Sequence, residues 1–200
     1  MALANLKTVL TFLFIYLVIF PAQAEDTNLS TNMSVDYGIW KPSSLDDFST
    51  QPLKNVKGAS YYHGLSFMAK LFPTHALRFS IFQWQQKDLK ELDLQSVTIR
   101  HLSCNLFHII LPESQLSPYV NYGIAAIWSR ETPTGANSRK VPLNRAGWGF
   151  DVGAGLNWRF HRHFAVSAEY QFLYAMFQDK VGRTDNYSGP KLSARILYIF

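Results

Sequence analysis

The chain is poor in cysteine and in charge. Cys104 is its one cysteine, so no disulfide can form within it. Charged residues make up 16% of the sequence, well under the roughly 25% usual for soluble domains. A surface that is wet all round needs more charge than that. Beyond residue 24 no stretch approaches the ~18 consecutive apolar residues of a membrane-spanning helix. No internal repeat, low-complexity tract or second domain is visible. The six histidines have no H-x-x-x-H spacing, and His161 and His163 flank the cation of Arg162, so neither a metal nor a cofactor is expected. The net charge of +5 is modest and carries no basic motif, which excludes nucleic acid as a partner.

What is present begins at the N-terminus. Lys7 precedes the largely apolar "VLTFLFIYLVIF" (Val9 to Phe20), and "PAQA" follows with Ala22 and Ala24 placed as in an A-x-A cleavage site. This is the layout of a secretory signal peptide over residues 1–24. Its removal takes away one charge, that of Lys7, and leaves a single domain over residues 25–200. Apolar residues nevertheless reach 48% and aromatics 15%. A chain this apolar, with little charge and no spanning helix, fits a transmembrane β-barrel, where only alternate residues must be apolar.

Period-two alternation recurs in about eight segments, which makes strands of them rather than helices. In "GWGFDVGAGLNWRF" the apolar set Trp148, Phe150, Val152, Leu156 and Trp158 opposes Gly149, Asp151, Gly153, Gly155 and Asn157. In "LSARILYIF" Leu192, Ala194, Ile196, Tyr198 and Phe200 oppose Ser193 and Arg195. The second parity is rich in small residues, as the inside of a narrow barrel requires. A soluble barrel is the alternative, but it would put the apolar parity inside. Short connections (Pro73 to His75, Pro112 to Ser117, His161 to His163) alternate with long ones (Lys41 to Lys57, Gln85 to Asp93, Ser129 to Ala146, Gln178 to Pro190). Short turns on one side and long loops on the other are the outer-membrane pattern. Trp128, Trp148, Trp158, Phe160, Phe164, Tyr174, Tyr198 and Phe200 fall near strand ends, as interface girdles do.

"SPYVNYGIAAIW", then "GWGFDVGAGLNWRFHRHFAVSAEYQF", then the terminal Phe resemble the small eight-stranded outer-membrane barrels of the OmpA, OmpX and OmpW kind. The resemblance implies an all-β, eight-stranded antiparallel transmembrane barrel in the outer membrane. It extends to structural proteins, adhesins and a narrow channel for small hydrophobic molecules, so it implies fold and compartment rather than an activity. It also implies that Leu192, Ala194, Ile196, Tyr198 and Phe200 form the signal read by the barrel assembly machinery.

Seven charges have inward parity: Asp36, Lys70, Arg78, Asp151, Arg159, Glu169 and Arg195. They nearly neutralise one another, and isolated buried charges are too costly to keep. A network plugging the lumen is therefore expected, with an ion path as the alternative. Counting from the short-turn side puts Glu169 and Arg195 at one level on neighbouring strands. They are expected to pair, with Asp36 and Lys70 joining or abutting them.

Two surface readings remain. His101 and Ser103 share one strand face, roughly 6.6 Å apart at ~3.3 Å rise per residue. Such a His-x-Ser pair resembles that of the lipid A deacylases, which are also barrels. The next carboxylate along, Glu113, lies about 33 Å away in an extended strand, and parity points the pair into the lumen. A hydrolase needs an acid to orient its imidazole, so the expectation is a non-enzymatic protein. Arg130, Arg139, Lys140 and Arg145 gather in the third long loop against only Glu131. They are the candidates for contact with lipopolysaccharide phosphates, whose geometry suits Arg.

Overall fold

The computed structural model describes residues 31–42, 61–89, 94–133, 143–182 and 184–200. Residues 1–24 lie outside them. Among the described residues every regular element is a strand: β1 (Thr31–Trp40), β2 (Tyr61–Phe72), β3 (His75–Leu89), β4 (Leu94–Ile109), β5 (Leu116–Pro133), β6 (Leu143–His161), β7 (Phe164–Val181), β8 (Thr184–Asn186) and β9 (Gly189–Ile199). All pairings are antiparallel. Eight strands close into a ring in the order β1-β2-β3-β4-β5-β6-β7-β9, with β9 returning to β1. The three-residue β8 is a spur that pairs with β7 alone.

The alternation read from the sequence becomes the two sides of the wall. Val35, Leu65, Ile81, Ile124 and Ile196 point out, and Ile124 is 69% exposed. Ser34, Ser66, Ser80, Ser103 and Arg195 point in and are buried. An apolar outside and a polar inside invert the plan of a soluble barrel, and they satisfy lipid outside without leaving a sheet edge. All eight girdle aromatics named above face outward.

The strands run further than the alternation indicates. β5, β6 and β7 contain 18, 19 and 18 residues, where about 9–11 cross a bilayer. The connection expected over Gln85 to Asp93 shrinks, because β3 continues to Leu89 and β4 starts at Leu94. The one expected over Ser129 to Ala146 shrinks likewise between Pro133 and Leu143, and most of Gln178 to Pro190 is strand. Outside the lipid the outward residues turn polar (Gln85, Lys87, Arg130), so the alternation vanishes while the ladder of backbone hydrogen bonds continues. At the opposite end the turns stay tight.

Inside, two apolar layers sandwich a polar one. At the long-strand end Trp40, Tyr62, Phe82, Trp84, Ile127 and Leu173 pack together. At the short-turn end Met68, Ala76, Phe107, Tyr119, Ala165 and Leu197 form the second layer.

Candidate functional site in the barrel lumen

The polar layer centres on Glu169 of β7. Arg78 grips it with both guanidinium nitrogens: Nη2 donates to Oε1 at 2.9 Å and Nη1 to Oε2 at 3.0 Å. In ring order β3 lies four strands from β7 whichever way one counts, so this contact crosses the full lumen. Arg195 on the adjacent β9 donates from Nη2 to Oε2 at 2.7 Å, and the Tyr119 hydroxyl donates to the same oxygen at 2.7 Å. Arg78, Glu169 and Arg195 are 2%, 2% and 3% exposed. A carboxylate taking two charge-assisted partners and a hydroxyl has its lone pairs filled, the condition under which buried charge is tolerated.

Asp36 extends the cluster to the barrel seam. It is the register partner of Arg195, whose Nε lies 3.9 Å from Oδ1. Ser34 donates to Oδ1 at 3.0 Å, and Ser66 donates to Oδ2. Asp151 sits apart from these and accepts from Asn105 and, at 3.4 Å, from Gln171 Nε2. The Arg78 guanidinium also stacks 4.5 Å from the Phe107 ring centre.

The motif glycines now have a reason. Gly155 faces inward opposite Glu169, and a Cβ there would run into the Tyr119 ring and hydroxyl. The absent side chain is what lets Tyr119 reach Glu169.

Besides Asp151, two further charges expected in this network stand apart from it. Lys70 lies near the β2–β3 turn and Arg159 at the end of β6, both below the Met68–Tyr119 layer, at the mouth of the lumen. Their parity is inward, but they lie too close to the turns to reach Glu169. Two inward charges were missed. Lys191 is buried, with its ammonium 4.6 Å from the Phe82 ring centre and 4.9 Å from that of Tyr62. Glu131 is buried near the long-strand end, accepting from Arg145 at 3.3 Å and from the Gly182 amide at 2.8 Å. Parity carried one residue beyond Leu192, and two beyond Ser129, finds both.

His101 and Ser103 are buried in the lumen wall. The His101 ring meets Phe82 edge-on at 4.7 Å, and among the described residues no carboxylate bonds to it. Of the loop cations, Arg145 belongs to β6 rather than a loop. Besides Glu131 it pairs with Asp179 at 3.1 Å, so its charge is already engaged. Arg130 points outward and is exposed. Arg139 and Lys140 lie outside the described residues.

Solved structures with this architecture are known. The N-terminal β-barrel domain of Pseudomonas aeruginosa OprF aligns with a TM-score of 0.57 and 16% identity, covering 86% of this chain and 97% of that one. Neisserial surface protein A aligns with a TM-score of 0.59 and 15% identity, covering 87% and 98%. The fold is that of the small eight-stranded outer-membrane barrels. A third such barrel, OprG from Pseudomonas aeruginosa, aligns with a TM-score of 0.54 and 12% identity over 86% and 93%. No family model matches the chain, and no curated protein matches it. Within that plan, this lumen holds Glu169 gripped from two strands between two apolar layers.

Proposed function

We propose that the protein is a non-enzymatic integral outer-membrane barrel with a closed lumen, made with a cleaved signal peptide over residues 1–24, whose work is done at its long-strand, cell-exterior end. The observation that carries this reading is Glu169, held at once by Arg78 from the opposite wall and Arg195 from the neighbouring strand. An ion or a small hydrophobic molecule would have to break both pairs and cross an apolar layer on either side. The enclosure of His101 against Phe82 weighs against the hydrolase alternative, since a lipid substrate approaches from outside the wall. The experiment is twofold. Isolated outer membranes should yield a band that shifts between unheated and boiled samples. The purified barrel should show no steady conductance in planar bilayers, and large conductance overturns the closed lumen.

The proposed partner of the exterior wall is an anionic lipid. Arg100 stands opposite Trp128 in the β4–β5 register, and Arg130 follows one step further out, opposite Thr98. Lys87 on β3 shares this outward band. All three are exposed, and among the described residues neither Arg130 nor Lys87 has an ion pair. Cations just beyond a Trp girdle sit at the level of lipid phosphates. Lipopolysaccharide is the anionic lipid proposed there, with Arg100 and Lys87 added to Arg130; Arg145 also pairs with Glu131 and Asp179.

A further inference from the structure

The short-turn mouth of the barrel contains a cavity of about 100 Å³ whose floor is the Met68–Leu197 apolar layer. Two cations enter it. Lys70 comes from β2 and Arg159 from β6, four strands apart either way round the ring. Among the described residues neither side chain has an ion pair or hydrogen bond. Among the described residues no carboxylate side chain lines the cavity, and Glu113, in the β4–β5 turn, is outside its lining. Asn32, Asn157, Ser114, Gln115 and Ser117 supply the rest of the polar lining. Asn157 Oδ1 is buried without a partner while its Nδ2 is not, so the amide offers the mouth a donor.

Among the described residues this mouth is lined by two cations and no acidic side chain. Like charges lining one cavity repel, and an anion between them removes the repulsion. We propose that this mouth is a binding site for a soluble phosphate group, free or as a monoester, bridged between Lys70 and Arg159. Charge decides between oxyanions: two cations, with no acidic side chain among the described lining residues, match a phosphate of about −1.5 to −2 better than a single carboxylate. Arg supplies the forked donor and Lys the point charge that phosphate recognition uses. The lining residues have inward parity and open to water, so the ligand arrives from the aqueous side. Calling that side the periplasm rests on the reading above.

The test is calorimetric titration of inorganic phosphate into the full barrel in maltoside micelles at low ionic strength. Saturable binding is expected. Lys70→Gln and Arg159→Gln should each weaken it about tenfold, the scale of one charge-assisted hydrogen bond, and the double variant should abolish it. Each variant should keep its heat-modifiable band. Arg162→Gln, in the neighbouring turn but outside the cavity, should bind as the parent does. Undiminished binding in the double variant overturns the site, as does chloride displacing phosphate at equal ionic strength. In nanodiscs, phosphatidylglycerol should not block the titration relative to phosphatidylcholine; if it does, a lipid headgroup is the occupant and the soluble ligand is wrong. The titration is independent of location: its failure leaves the outer-membrane reading standing, and a wrong compartment leaves the site standing.

Discussion

Asp36 and Arg195 face each other across the seam where the first strand meets the last, and an ion pair of 3.9 Å spans it. Slipping this seam by one residue would turn every side chain of one strand to the wrong side of the wall. The charge pair marks the correct register with groups that neither lipid nor an apolar layer will accept unpaired.

Glu169→Ala strands two guanidinium groups at once. It should cost on the order of 3–5 kcal/mol, the usual price of breaking a buried pair. Adding Arg195→Ala should recover part of that loss, so the pair of changes is less than additive. Urea unfolding midpoints of the folded barrel in micelles test this, and strict additivity would count against the coupling.

Gly155→Ala should destabilise the barrel although it adds a single methyl group. The new Cβ takes the space of the Tyr119 hydroxyl, which is then driven off Glu169. Tyr119→Phe, which removes the hydroxyl and keeps the ring, should recover little in the Gly155→Ala background because the ring still collides. A midpoint unchanged by Gly155→Ala would refute this account.

Lys191→Met should leave the midpoint unchanged or raise it. The ammonium lies over Phe82 and Tyr62, and its Nζ has no hydrogen-bond acceptor among the described residues. Replacing a buried charge with an apolar group of similar shape is often neutral or stabilising. A clear loss of stability would mean that the ammonium has a role the surrounding rings do not explain.

The sequence was legible wherever chemistry changes with parity. Inside the lipid, Leu192, Ile196 and Phe200 must be apolar and Ser193 and Arg195 must fit the lumen, so the pattern has contrast. Beyond the Trp128 level both parities are polar outside and mixed inside. The strands therefore faded from view there, and Lys191 and Glu131 with them. Counting along neighbouring strands put Glu169 and Arg195 at one level, whereas the register sets Glu169 opposite Ser193 and Arg195 opposite Ser167, and the long guanidinium closes the diagonal. Counting says nothing of chords across the ring, so the Arg78–Glu169 contact had no signature. The same limit applied to Lys70: its parity was right, but its distance from the turn, not its parity, kept it out of the network.

Replacing Lys87, Arg100 and Arg130 with Ser should weaken binding to purified lipopolysaccharide and flatten its salt dependence, because exposed phosphate pairs are screened by ions. Arg145→Ser should have less effect on binding, since Glu131 and Asp179 already occupy that guanidinium. Unchanged binding by the triple variant at low salt would end the idea.

Deleting Phe200 should lower the amount of heat-modifiable barrel in the outer membrane while export continues. Phe200 lies outward at 62% exposure, stacked edge-on against Tyr198, and its amide donates to Thr31 at 3.0 Å. It therefore combines an accessible aromatic with the last hydrogen bond of the seam. Normal assembly of the deletion variant would remove the recognition role.

A sheet rolled into a tube can ovalise under the sideways pressure of its surroundings. The Arg78–Glu169 contact joins opposite walls, so it acts as a strut along one diameter, and the packed layers on either side brace it. The hairpins that rise beyond the bilayer stand on this braced ring. Their spacing at the base is then set inside the membrane, by two side chains, and not by the lipid around them.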